Sequence, residues 1–217
     1  MTLFSQIISA IAFLVLLLFL GYLYINRPRK EPDTRPEDVA LLAKNSGWAF
    51  AEKSERLDEL IEINRFGYMG GTFKTQLVCS QTINGHQTFI FDCLATTYIS
   101  GIAIEFEELN IPSFCIVERL IDNRLQKAEG SPIEAERLPK FVGAKVHAYA
   151  AADDHDELCA AIDENPKLQA LFKRRDIGYI CLRGNALIVY FLTKYPADDR
   201  GFTKFNQNAQ SIAQIFD

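Results

Sequence analysis

The chain has 217 residues, 48% apolar and 24% charged, with 23 Lys and Arg against 28 Asp and Glu for a net charge of −5. That balance excludes extended disorder, collagen-like sequence and a polytopic membrane protein, and the length allows one domain with a full core or two very small ones. The charge is unevenly spread, because the first 26 residues carry no charged side chain.

Residues 7–25 (IISAIAFLVLLLFLGYLYI) contain neither Pro nor charge. As a helix this run is roughly 28 Å long, close to the ~30 Å hydrocarbon core, so residues 1–26 are expected to form a transmembrane signal-anchor helix. A cleaved signal peptide fits poorly. Residues 1–6 have no basic side chain, and the run ends in bulky Gly-Tyr-Leu-Tyr-Ile-Asn where a cleavage site needs small residues. Tyr22 and Tyr24 fall where rings sit at a membrane interface, with Phe4 at the opposite end. Arg27, Arg29, Lys30 and Arg35 follow at once, so the positive-inside rule sets the N-terminus outside and the main domain in the cytoplasm. These four cations face the anionic headgroups of the bilayer and, with the two tyrosines, make up the expected membrane interface. The five cysteines are odd in number and lack a CxxC pair, which suits a reducing compartment.

Residues 27–36 (RPRKEPDTRP) read as a charged, Pro-rich linker. Removing its four cations and two anions leaves 19 cations and 26 anions in a soluble domain at 37–217. A domain of about −7 is a poor match to nucleic acid.

Within that domain a short helix is expected after Pro36, with Val39, Leu42 and Ala43 on one face and a stop near Gly47. Trp48 and Phe50 follow as core anchors, and Leu57, Leu60 and Ile61 mark a second helix before the loop RFGYMGG at 65–71. Leu77, Cys79, Gln81 and Ile83 alternate before Asn84-Gly85, and Phe89, Phe91 and Cys93 alternate after it. This predicts a long antiparallel hairpin over 74–98 with a type I′ turn. Strands are expected near 113–118 and 144–150, then a helix capped by Asp153 or Asp154 that contains Leu158 and Ile162. Asn165-Pro166 opens another helix, with Leu168, Leu171 and Phe172 in one stripe and Lys173, Arg174 and Arg175 at its end. Strands at 177–183 and 186–193 are apolar on both faces, as in the covered centre of a sheet. The last helix, from about Asp199, sets Phe202, Phe205, Ala209, Ile212 and Phe216 against Asn206, Asn208 and Gln210. The order predicts an α+β domain, an antiparallel sheet of hairpins with helices packed on it, preceded by one transmembrane helix.

The candidates for chemistry are few. Gly67, Gly70 and Gly71 lack a following Gly-Lys-Ser/Thr and precede a strand, so they read as a flexible loop and not a phosphate site. The run Asp153-Asp154-His155-Asp156-Glu157 reads as an acidic first helical turn, because five consecutive residues cannot all face one ion. His86 and His147 lack a nucleophile context, and the cysteines fall where small buried hydrophobes belong. Asp92 interrupts an apolar strand as Phe91-Asp92-Cys93 and is expected to face solvent on the outside of the hairpin. No catalytic, cofactor or metal motif is read, and no cofactor is expected.

The order of a transmembrane helix, Gly70-Gly71, a hairpin with Asn84-Gly85 and Phe91-Asp92, Thr96-Thr97, Ile111-Pro112-x-Phe114, a strand within 141–153 carrying Val146 and Tyr149, a helix and a hairpin at 177–193 resembles a family of uncharacterised bacterial membrane-anchored proteins, a domain of unknown function. The resemblance covers most of 37–217. It implies a bacterial inner-membrane protein and supplies no activity. The expectation is a single-pass membrane protein whose cytoplasmic domain binds a protein partner as an accessory or scaffold module. The alternative is a membrane-associated enzyme acting on lipid or envelope metabolites through Asp92, His86 or His147. A headgroup reader using the linker cations with Lys173, Arg174 and Arg175 is a third reading.

Overall fold

Asn84 and Gly85 adopt φ of 52° and 87°, the two positive values a type I′ turn requires, and close a hairpin of strands Lys74–Ile83 and His86–Leu94. In the computed structural model the chain divides into two compact units, residues 1–31 and 32–217. The residues described are 13, 15, 16, 36–64, 74–94, 98–118, 131–132, 146–192, 195 and 198–216. In the first unit Phe13, Val15 and Leu16 are helical and exposed. Among the described residues no helix is long and apolar enough to cross a membrane. The rest of the apolar run at 7–25 lies outside them, as do Tyr22, Tyr24, Arg27, Arg29, Lys30 and Arg35.

In the second unit the elements are α1 (Pro36–Asn45), β1 (Ala49–Ala51), α2 (Glu55–Ile63), β2 (Lys74–Ile83), β3 (His86–Leu94), β4 (Tyr98–Glu105), β5 (Phe114–Glu118), β6 (Ser131–Pro132) and β7 (Val146–Ala150). They continue with α3 (His155–Glu164), α4 (Pro166–Phe172), β8 (Ile177–Arg183), β9 (Ala186–Phe191) and α5 (Asp199–Ala213). Among the described residues the strands form one nine-stranded sheet, order β1-β2-β3-β4-β9-β8-β5-β7-β6, and every pairing is antiparallel. The domain is α+β, with helices packed on an antiparallel sheet.

The sheet has an apolar cluster on each face. On one face α1, α3, α4 and α5 place Val39, Leu158, Leu168 and Phe205 against Ile90, Ile102, Ile180 and Val189. On the other, α2 places Leu57, Leu60 and Ile61 against Phe89, Phe91, Cys181 and Ile188. The central β8 and β9 are buried along nearly their whole length, as their two-sided apolar pattern requires. Two of the helix starts show the expected side-chain cap. Asn165 accepts from the Leu168 N–H at 2.9 Å, and Asp198 from the Gly201 N–H at 2.7 Å. Asp154, by contrast, makes no side-chain cap, because a 3-10 turn at Ala152–Asp154 already holds it in helical geometry.

Strand β4 is a departure from the sequence reading, which places no strand between the hairpin at 74–98 and the strand near 113–118. The reason for Gly101 is non-local. It lies directly across from Phe91, and a Cβ at this position would sit 2.4 Å from the Phe91 ring. The ring therefore lies over the glycine, which is a seat for an aromatic side chain.

Candidate functional site

The hairpin between β2 and β3 is not regular. Gln76 pairs with Asp92 and Cys79 with Ile90, so Leu77 and Val78 together oppose Phe91 in a β-bulge. Leu77 sits at φ 53°, a left-handed conformation that costs a non-glycine residue roughly 1–2 kcal/mol. The bulge shifts the phase of the strand. Val78 faces the α2 side, as does Thr75, whose hydroxyl donates to Asp58 Oδ1 at 2.6 Å, while Leu77 packs on the opposite side.

On that opposite side the bulge helps to wall a cleft lined by Val39 of α1, Leu77, Cys79, Ile90, Phe91, Asp92, Tyr195, and Phe202 and Phe205 of α5. Its cavity volume is about 40 Å3. Asp92 is the one formally charged group in this lining. It is only 8% exposed, which corrects the expectation of a solvent-facing residue. Alternation along β3 sends Phe89, Phe91 and Cys93 to the α2 side and Asp92 to the α5 side. Because helices cover both faces, neither side of this strand is solvent.

The buried carboxylate is held in a relay. Ser100, its cross-strand partner, donates to Asp92 Oδ1 at 2.9 Å, and the Tyr195 backbone N–H donates to Ser100 Oγ at 2.9 Å. Tyr195 is fixed in turn from several directions. Its ring stacks on Phe205 with centroids 4.6 Å apart, its hydroxyl donates to Asp176 Oδ2 at 3.2 Å, and Asn208 Nδ2 donates to that hydroxyl at 2.8 Å. Arg174 closes the network, bonding Asp176 through two nitrogens and Asn208 through a third. The Arg174 hydrogen bond holds the Asp176 carboxyl below its ordinary value, and burial with the Asp176 charge pushes the Tyr195 phenol up. Burial, reinforced by the Asp92 charge, pushes the Cys79 thiol up to about 12, so this cysteine lines the cleft without reactivity.

The remaining candidates do not converge on this cleft. His86 lies six residues from Asp92 along β3, roughly 20 Å away, and meets Phe106 at a tilt, with ring centroids 4.6 Å apart. His147 is on β7, five strands from β3, roughly 24 Å across the sheet. The sheet order thus keeps Asp92, His86 and His147 apart. Cys93 and Cys115 are fully buried, and burial pushes the Cys93 thiol up to about 12. His155 turns inward, its Nε2 3.4 Å from the Ala150 carbonyl, while Asp153, Asp156 and Glu157 stay exposed. Among the described residues no group of three or more His, Cys, Asp or Glu is placed to hold a metal ion. Arg174 is engaged with Asp176, and Lys173 and Arg175 are exposed. Gly67, Gly70 and Gly71 lie outside the described residues.

Sequence reasoning missed Leu77, Ser100 and Tyr195. The one signal that pointed to their site was Asp92 itself, a carboxylate within the run TFIFDCL.

No family model matches the chain, and no curated protein matches it. Among solved structures, it is similar to the crystal structure of the mycobacterial trehalose monomycolate transport factor A. The TM-score is 0.53 over 84% of this chain and 96% of that one, at 14% identity, a likeness of fold.

Proposed function

We propose that the chain is a single-pass membrane protein whose α+β domain, at 37–217, acts in the cytoplasm as an accessory module of a transport assembly and binds a protein partner. The observation that carries this reading is the likeness of fold to a transport factor along nearly the whole of that protein. The apolar run at 7–25, long enough to span a bilayer, supports the anchor. Tyr22 and Tyr24 set its depth, and Arg27, Arg29, Lys30 and Arg35 set the bacterial inner-membrane orientation with the N-terminus outside. Tethering raises the local concentration of the domain near membrane partners, so a modest intrinsic affinity suffices.

The test is purification of the full chain from its own host's membranes in mild detergent, followed by native mass spectrometry. The expected result is resistance of the chain to carbonate extraction, loss of that resistance on deletion of residues 1–26, and a stoichiometric protein partner. A chain that washes off membranes at high pH, or that purifies alone, overturns the corresponding half of the proposal.

A further inference from the structure

We propose that Cys115 and Cys181 form a redox switch, which hydrogen peroxide closes into a cross-strand disulfide and which thereby withdraws a hydrogen bond from the end of α2. The inference is independent of the docking role. Register comes first. Cys115 on β5 lies directly opposite Cys181 on the antiparallel β8. Opposed residues in such a pair have Cα atoms about 4.5 or 5.5 Å apart, and both spacings lie within the ~4.4–6.8 Å that a disulfide spans. The two thiols are within hydrogen-bonding reach of each other and of the Tyr179 hydroxyl. The other three cysteines do not share this register. Cys79 and Cys159 pack on the opposite face of the sheet, and Cys93, on the same face, lies three strands from β8, roughly 14 Å away.

Both cysteines are 0% exposed, so the oxidant must be small. Tyr149 opposes Cys115 from β7 and is part-exposed, so the way in to Cys115 runs beside its ring. In the first step the Cys115 sulfur attacks one peroxide oxygen, the O–O bond breaks, and the thiol proton leaves with the departing hydroxide as water. In the second the Cys181 sulfur attacks the resulting sulfenic acid, the S–O bond breaks, and a second water carries off the Cys181 proton. Two thiols lose two electrons to one peroxide, and one S–S bond replaces two S–H bonds. Burial pushes the Cys181 thiol up, with the Tyr179 hydrogen bond pulling partly the other way, so the pair answers sustained and not trace peroxide. The second step joins groups already fixed in register, so the sulfenic acid is captured as it forms.

The consequence lies at α2. Reduced Cys181 donates its S–H to the Asn64 carbonyl at 3.5 Å, and Asn64 is the C-cap of that helix. Asn64 is only 4% exposed, and its Oδ1 has no hydrogen-bond partner among the described residues. A disulfide sulfur has no proton to donate. Oxidation therefore takes a donor away from a helix end that already carries an unpaired buried acceptor, and the last turn loosens.

The test uses the full chain in nanodiscs, treated with hydrogen peroxide, then alkylated and mapped by peptide mass. The expected product is a Cys115–Cys181 crosslink, reversed by dithiothreitol and complete while Cys79 and Cys93 remain free thiols. Hydrogen exchange over residues 60–64 is expected to quicken roughly three- to tenfold in the oxidised chain, the range one lost hydrogen bond produces, and to return on reduction. Cys181→Ala, which removes the donor without a crosslink, is expected to show the quickened exchange before peroxide and no further change after it. The wild-type crosslink and its exchange carry the test if that variant fails to fold. Oxidation confined to Cys159, or a crosslink that forms only in urea, overturns the pair. A crosslink with no change in exchange over α2 overturns the switch. A crosslink already complete in acid-quenched cells of the host overturns it too, since the bond is then structural.

Discussion

Replacing Gly101 by Ala tests the packing argument at its tightest point. The added Cβ would lie 2.4, 2.7 and 2.9 Å from Cζ, Cε2 and Cε1 of Phe91. These are sub-van-der-Waals distances, and the ring has little room to withdraw. It is 1% exposed and meets Tyr190 edge-on, with centroids 5.9 Å apart. Overpacking a buried site of this kind costs about 2–3 kcal/mol. Loss of glycine's freedom in the unfolded chain returns about 0.5–1 kcal/mol. The net expectation is a destabilisation of roughly 1–2.5 kcal/mol. Phe91→Leu removes the three clashing atoms, so in that background Gly101→Ala is expected to become neutral or slightly stabilising. The assay is urea unfolding of the four proteins in mild detergent, followed by fluorescence of Trp48, the one tryptophan, which is 3% exposed. A double-mutant cycle then isolates the pair term, expected to exceed about 1 kcal/mol. Additive effects would refute the claim that Phe91 is the reason for Gly101.

Two further perturbations address the cleft and its support. At Leu77, Ala and Gly lose similar packing, but only Gly relieves the positive φ, so Leu77→Gly is expected to be more stable than Leu77→Ala by about 1 kcal/mol, the reverse of the usual order. The same urea assay checks this, and the ordinary order would show that the bulge relaxes without strain. At Asp176, the folded-state pKa is lowered by the Arg174 hydrogen bond, so the unfolded chain takes up the proton first as pH falls. The stabilisation is complete above the unfolded value of roughly 3.9 and is lost as pH drops through the folded one. Asp176→Asn should therefore be less stable than wild type at pH 7, with a gap that narrows below about pH 4 and shrinks with salt, since the pair is part-exposed. A gap independent of pH would remove the ion pair from the explanation.

Local signals in the chain were legible because each is satisfied within a few residues. Asn165 caps the N–H of Leu168, Asn84-Gly85 supplies its own turn, and Leu57, Leu60 and Ile61 bury one stripe of α2. Leu168, Leu171 and Phe172 behave likewise on α4. The failures share a different cause. The sequence reading places no strand over 98–105, and the role of Gly101 there is set across the ladder by Phe91. Asn206 and Asn208 belong to a polar face by sequence. In the fold, however, Asn206 accepts from Trp48 Nε1 at 3.2 Å and Asn208 ties Arg174 to Tyr195.

The burial of Asp92 follows from the same physics. Period-two alternation assigns residues to two faces but does not say whether the second face meets water. Here α5 and α1 cover it, so a residue placed opposite Phe91 and Cys93 leaves solvent and must find partners, one of which is Ser100, itself held by the Tyr195 N–H. The cleft therefore exists only where three distant irregularities meet: a bulge at Leu77, a carboxylate in an apolar strand, and a tyrosine held by an Arg–Asp pair. Each is a minor departure from regularity in its own segment, and each costs stability or pattern locally. Their convergence on one cleft is the physical ground for reading it as a functional site and not as three separate imperfections of the core.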